Sequence, residues 1–343
     1  MSGRRHHYIP QFLQRGFASH SSNKDSYTWV YRKGDINPFN SNIKNIGMEG
    51  DFYSEEKETA LDDTITDAET EYGLFVDDLR KADDKVKVNK FKAAKLLAHL
   101  EVRTKNLRIN YRNAGTYVVT EMAKFLENSD NCERFVSNQV KIHAVKMIED
   151  ELTKQGIPRT LFPIFRTQFA PLVQEKIPEM VESMKGMLQY LIGNLPETFN
   201  KSAKSGHIKA LLNSHTPPIK VSVYEKLNFQ IITTGDPKIP LGDSAVIFNV
   251  EGEREFKPFF EIDNKLLAVI LPISSTKLLL GSKIGHSVDI AKIPEAIASC
   301  SLEYFIASEE SSENDNLLKC ISNNTSILSK SDMDEILMGL MVE

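Results

Sequence analysis

Thr216-Pro217-Pro218-Ile219-Lys220-Val221-Ser222-Val223 marks the point where the chain changes its rhythm. Before it, apolar residues return at helical steps of three and four. After it, short runs rich in β-branched and aromatic residues alternate with turn residues. The runs at 219–223, 229–233, 245–250, 267–271 and 277–280 predict an antiparallel sheet. On the other side, residues 59–81 predict a helix, because Leu61, Ile65, Ala68, Tyr72, Phe75 and Leu79 draw one apolar stripe. Residues 89–126 carry a second helical stretch, with Lys95, His99 and Arg103 aligned at i, i+4 and i+8. A third, 133–156, stops at Gly156 with Pro158 beyond. Residues 160–195 are helical but interrupted near Pro163, Pro171 and Pro178.

The ends complete the pattern. Residues 26–33 predict a strand that stops at Gly34-Asp35. Residues 294–308 predict a helix, with Pro294 suited to its first turn. Ser331 and Asp334 cap a last one. The expected fold class is therefore α+β: an antiparallel sheet formed by the N-terminal strand segment and the C-terminal third, packed against a large central helical block. Residues 1–343 form one unit, subdivided as 1–55, 56–216 and 217–343, whose parts are not independent domains.

Composition narrows the class. With 41% hydrophobic and 26% charged residues, the 343-residue chain can bury a sizeable core without disulfides. Cys132, Cys300 and Cys320 are odd in number and form no CxxC pair, which points to a reducing compartment. No apolar run reaches the length of a membrane span, and no signal-type segment follows Arg4 and Arg5, so no membrane partner and a cytoplasmic location are expected. Walker, GxGxxG, GxSxG and HExxH motifs are absent from the sequence. Net charge is −5, but it is segmented: 1–33 is basic, 49–84 acidic and 85–112 basic again. Either these segments pair with one another, or the two basic ones build a positive groove for a phosphate-bearing ligand.

The densest chemistry lies in His6-His7-Tyr8-Ile9-Pro10-Gln11-Phe12-Leu13-Gln14-Arg15-Gly16-Phe17. This stretch resembles the opening signature of a bacterial family, domain-of-unknown-function family 4238, which has no settled activity. Five further segments resemble it in the same order. They are Trp29-Val30-Tyr31 with Asn45-Ile46 and Asp51-Phe52-Tyr53; Ala68-Glu69; Arg103-Thr104 with Arg108; 241–247 around Asp243; and 271–275, Leu-Pro-Ile-Ser-Ser. Gln14 stands where the family usually has Leu, and Gly242 and Ala245 where it usually has Ser and Pro. The resemblance implies that motifs from both ends meet at one cleft.

Adjacent strand residues face opposite ways, so one of His6 and His7 enters a given site, and His7 is the better placed. It could act as a general base, a metal ligand or a phosphate donor; alternatively it pins the N-terminal segment. Arg15, Arg103 and Arg108 are candidate anion binders, or else members of an ion-pair network with Glu69, Glu71 or Asp243. Glu69 borders the apolar stripe and is either paired with an Arg or poised for chemistry. Asp243 is a turn former, a metal ligand or a base. The catalytic set is thus His7, Glu69 and Asp243, the anion set Arg15, Arg103 and Arg108, with His7 and Asp243 as ligands of a divalent metal.

The leading expectation is an intracellular bacterial hydrolase of nucleic acid or a nucleotide, a metal-dependent nuclease or phosphohydrolase of the defence or toxin-effector type. The alternative is a non-catalytic sensor or binding module for an anionic ligand or for a protein partner, the latter docking on the acidic 59–81 helix. A third reading makes the polar set wholly structural.

Overall fold

The computed structural model describes residues 5–54, 60–235, 238–261, 265–326, 328 and 330–342. The chain divides into two compact units, one of residues 1–110 and 203–327, the other of 111–202 and 328–343. The fold class is α+β.

In the first unit the strands form three antiparallel sheets. β1 (Arg5–His7) pairs with β5 (Met48–Gly50), with His7 opposite Met48. A second sheet has the order β2 (His20–Ser22), β3 (Asp25–Arg32), β12 (Tyr304–Ala307), β7 (Leu241–Gly242), with β4 (Phe39–Asn42) also on β3. The third runs β6 (Asn228–Thr233), β11 (Lys277–Ser282), β10 (Leu266–Ser274), β8 (Ile247–Val250), β9 (Phe256–Lys257). The N-terminal strand does join the C-terminal part, through β3 and β12. The remaining C-terminal strands form their own sheet, so the single expected sheet is resolved into separate ones.

Short α1 (Gln11–Gln14) follows the first strand, and α2 (Ala60–Lys81) and α3 (Lys90–Glu101) pack their apolar faces into the same core. On α2 the stripe buries Leu61, Ile65, Tyr72, Val76 and Leu79, as its spacing requires. Asn89 starts α3 by accepting the Lys92 amide at 3.0 Å. The expected 89–126 helix is broken at 102–104, before α4 (Lys105–Glu127).

Two expectations fail here for nonlocal reasons. Residues 219–223 are not a strand but α7 (Pro218–Tyr224), with Pro218 in its first turn and Lys220, Val221 and Tyr224 buried at helical spacing. The expected 294–308 helix stops as α8 (Ile293–Cys300), and its tail becomes β12. α9 (Ser312–Leu318) follows.

The N-terminal motif is explained by what touches it. Gln14 donates from Nε2 to the carbonyls of Ile9 at 2.7 Å and Ile46 at 3.0 Å, so the amide locks a turn that a leucine could not. Arg80 at the end of α2 donates to the carbonyls of Phe12, Leu13 and Ile273. Gly16 lies against β10: a Cβ there would stand 2.2 Å from the Ile273 carbonyl oxygen and 2.7 Å from Arg80 Nη2. Gly16→Ala is therefore expected to cost about 2–3 kcal/mol in urea unfolding, since backbone cannot yield as a side chain does. A cost below about 0.5 kcal/mol would contradict this packing.

The second unit is helical. It holds α4 from residue 111 onward, α5 (Ser129–Lys154), residues 162–202 of α6 (Phe162–Asn213) and α10 (Lys330–Val342). Leu126, Cys132, Ile177 and Val181 form its core, with Met122, Phe125, Phe135 and Met184 against them. α6 is continuous, where interruptions at its prolines are expected from sequence. Pro171 and Pro178 are both exposed, so the carbonyls they free can reach water.

Candidate functional site

Pairing of β1 with β5 turns His6 and His7 to opposite faces. His6 is buried, accepts the Tyr53 amide on Nδ1 at 2.9 Å and stacks on the Tyr53 ring. The backbone carbonyl of His7 is the hub on the other side. It accepts Arg103 Nη2 at 2.6 Å and the Tyr53 hydroxyl at 3.2 Å.

Arg103 follows α3 and is only 1% exposed. Its Nε donates to the Tyr53 hydroxyl at 2.8 Å, its Nη1 to His99 Nε2 at 2.8 Å, and its Nη2 also lies 2.6 Å from Glu69 Oε1. The helical step from His99 to Arg103 makes this contact possible. Since His99 Nε2 accepts, its proton sits on Nδ1, which faces the carbonyl and Nδ1 of His215, each at 3.2 Å. Burial, then the Arg103 charge, holds His99 well below the usual histidine range.

Arg108 makes a parallel set. Its Nε donates to His207 Nδ1 at 3.1 Å and its Nη2 to the Phe52 carbonyl at 2.7 Å, while the guanidinium covers the Phe52 ring at 3.7 Å. Glu49 Oε1 lies 3.8 Å from Nη1. Burial lowers Arg108 to about 10, with Glu49 opposing, so it remains charged at neutral pH. His207 donates its Nε2–H to the Val102 carbonyl at 2.6 Å, and burial followed by Arg108 lowers it to about 4.

One group in this array differs. Both ring nitrogens of His7 are out of water and have no hydrogen-bond partner among the described residues. Burial, then the charges of Arg103 and Arg5, lower it to about 4, so the ring is neutral at pH 7.

Asp243 has a different task. Its Oδ1 accepts the Leu302 amide at 2.7 Å, and its Oδ2 the amides of Glu303 at 2.6 Å and Tyr304 at 3.2 Å. It thus holds the start of β12 in place. Burial raises it to about 7, against the pull of those three amides. Ala245 takes φ +57, which a proline could not adopt, so this turn departs from the Ser-Asp-x-Pro-Val shape.

The structure therefore joins the His7 main-chain carbonyl and the Glu69 carboxylate through Arg103. Arg108 lies beside them through Phe52, next in chain to Tyr53. Asp243 is joined to that side by Glu303, whose carboxylate holds Lys105 at 2.8 Å, with Glu49 at 3.9 Å from the same Lys105. Arg15 is exposed on the turn after α1, beside Arg80, and does not enter the array. Arg103 and Arg108, expected to clamp an anion, turn most of their donors to protein acceptors instead. The acidic and basic segments pair within the chain, through Arg103–Glu69, Arg108–Glu49 and Lys105–Glu49.

No motif or spacing in the sequence marks Tyr53 as a hydroxyl relay, or His207 and His215 as neighbours of the arginines. His99 had a signal, its alignment with Arg103. Among the described residues no three His, Cys, Asp or Glu side chains are gathered to hold a metal ion. Asp243 in particular directs both oxygens to backbone amides. Beside α2, a cavity of about 270 Å³ lies between Glu71, Tyr72, Phe75 and Phe91, Lys92, Lys95. No helix among the described residues is long and apolar enough to cross a membrane.

Fold and site define an α+β protein built on a buried arginine–histidine centre. The family described as protein of unknown function, DUF4238, matches residues 5–310, and the chain belongs to that family. No curated protein and no solved structure matches it.

Proposed function

We propose that the chain is a hydrolase of phosphoester bonds in nucleic acid or a nucleotide, with His7 as its proton acceptor. The observation that carries this reading is the His7 ring, both of whose buried nitrogens lack a partner among the described residues. A buried polar atom without a partner costs stability, and catalytic use is one reason for such a cost to persist. A neutral imidazole can take a proton from an attacking water. The Arg103 and Arg5 charges that, after burial, depress His7 also make a positive field there, which favours a phosphate beside the ring. Tyr53 and Arg103 hold the His7 carbonyl, Glu69 pairs with Arg103, and Asp243 holds the amides of Leu302, Glu303 and Tyr304 at the start of β12. The unpaired cysteines Cys132, Cys300 and Cys320 suit a reducing, cytoplasmic setting, as for an intracellular effector.

The test incubates the purified chain with labelled RNA, DNA and nucleotides, beside His7→Asn. The expected result is turnover that falls by about 10²–10⁴-fold in the variant, with its unfolding midpoint unchanged. Turnover equal in both proteins would remove His7 as the proton acceptor, and none in either would remove the hydrolase reading. A second reading, an anion-binding module, rests on the same positive field of Arg103 and Arg5 at His7 without a reaction. It predicts nucleotide binding without turnover, weakened in His7→Asn.

A further inference from the structure

In the second unit, α6 exposes a run of large apolar side chains along one side. Phe169 is 42% exposed, Leu172 58%, Met180 44%, Met187 60% and Tyr190 71%. These residues lie within about 80° of arc at 100° per residue, beside the packed stripe of Ile177, Val181 and Met184. Large apolar side chains gathered on one face, rather than scattered singly, mark an interaction surface.

The spacing is more specific than the exposure. Positions 165, 169, 172, 176, 179, 183, 186 and 190 alternate steps of four and three and so share one face, with large apolar residues at 165, 169, 172 and 190. The residues are Phe, Phe, Leu, Lys, Glu, Ser, Gly and Tyr. Bulky side chains occupy the first half and small ones follow the charges. If a second α6 lies antiparallel, with a two-fold axis between 177 and 178, Phe169 meets Gly186 of the other copy and Leu172 meets Ser183. Large then opposes small in these two layers. A Cβ at Gly186 would meet nothing within 4 Å, so that position is open to a ring. Phe165, stacked on Phe169 with centroids 6.5 Å apart, meets Tyr190.

Charge fits the same operation. Lys176 and Glu179 pair within the helix at 2.7 Å, in the middle of this face. Under the two-fold, each Lys176 also faces the other copy's Glu179, so opposite charges meet twice. The surface is self-complementary, as an isologous contact requires.

We infer that α6 is a homodimer interface, two copies packing antiparallel along residues 165–190. A membrane surface fits less well. Arg166, Lys176 and Lys185 balance Glu175, Glu179 and Glu182 over this stretch, leaving no cationic excess for anionic lipid. An ion pair would also lie in the centre of the buried face.

The test is sedimentation equilibrium of the full chain, with thermal unfolding of each variant as a folding control. Wild type is expected to dimerise. Leu172→Lys should weaken the dimer at least about tenfold, because a charge enters an apolar layer. Lys176→Glu should weaken it also, by gathering carboxylates at the axis, and Lys176→Glu combined with Glu179→Lys should restore it. A wild-type monomer at every concentration, or a dimer indifferent to Leu172→Lys and Lys176→Glu, would overturn the inference. So would flotation of wild type on anionic vesicles that is lost in Leu172→Lys, which would assign the face to lipid.

Discussion

Arg103→Met is expected to lose about 3–5 kcal/mol in chemical unfolding, among the largest single losses in this chain. The guanidinium is fully buried and satisfies the His7 carbonyl, the Tyr53 hydroxyl, His99 Nε2 and the Glu69 carboxylate at once. Removing it takes this donor from three neutral acceptors and one carboxylate, and each group left unsatisfied carries its own desolvation cost. Glu69 is a quarter exposed and recovers some hydration, so the loss comes mostly from the neutral acceptors. Arg103→Lys should recover little, because one ammonium cannot span three directions of a planar fork. A loss below about 1 kcal/mol for Arg103→Met would mean that the centre is wet and loosely held.

Lys220→Met is expected to cost a similar amount, about 3–5 kcal/mol, for a different reason. Lys220 Nζ lies 2.9 Å from Glu101 Oε1 and also donates to the Phe260 carbonyl. Glu101 in turn accepts the Phe260 amide at 3.1 Å and the Tyr224 hydroxyl. Burial already raises Glu101, and Lys220 is the main group holding it down. In Lys220→Met the carboxyl should rise further. A folded-state value above the unfolded one means the folded chain holds more protons between the two. The variant should therefore be more stable in mild acid than in mild base, losing stability as pH rises toward the folded value. The double variant Lys220→Met, Glu101→Leu should lose less than the sum of the singles, with a coupling of about 1–3 kcal/mol. Additive losses would show that the pair is not a unit.

Much of this arrangement can be read from local pattern. The apolar stripe on α2 is periodic, and it emerges as the buried face. The i, i+4 step from His99 places Arg103, just past the end of α3, within reach of the His99 ring. The motifs at 6–17 and 271–275 come together because Gly16 admits the Ile273 carbonyl and its own carbonyl accepts the Ser275 amide. What fails is decided at a distance. Residues 304–307 read as helix because their apolar run is continuous, yet Asp243, some sixty residues earlier, captures the amides that start the strand. Residues 219–223 alternate like a strand, but burying Lys220 against Glu101 requires a helical turn. Arg80 carries no motif, and its value lies in three carbonyls that only the fold assembles. The same limit applies to the anion set. Sequence offers three arginines of equal merit, and only packing separates Arg15, left in solvent, from Arg103 and Arg108, drawn inward.

The functional reading stands on the state of one imidazole. ¹⁵N-resolved NMR of the histidine side chains, with His7 assigned by its loss in His7→Asn, measures that state directly. Titration from pH 7.5 to 5 should leave the His7 ring neutral, because its folded value is about 4. Adding a nucleotide or short oligonucleotide at neutral pH should then move its ring nitrogen signals. A His7 ring that gains its proton near the usual 6.5, with ring signals that no phosphate-bearing ligand moves, would contradict the account.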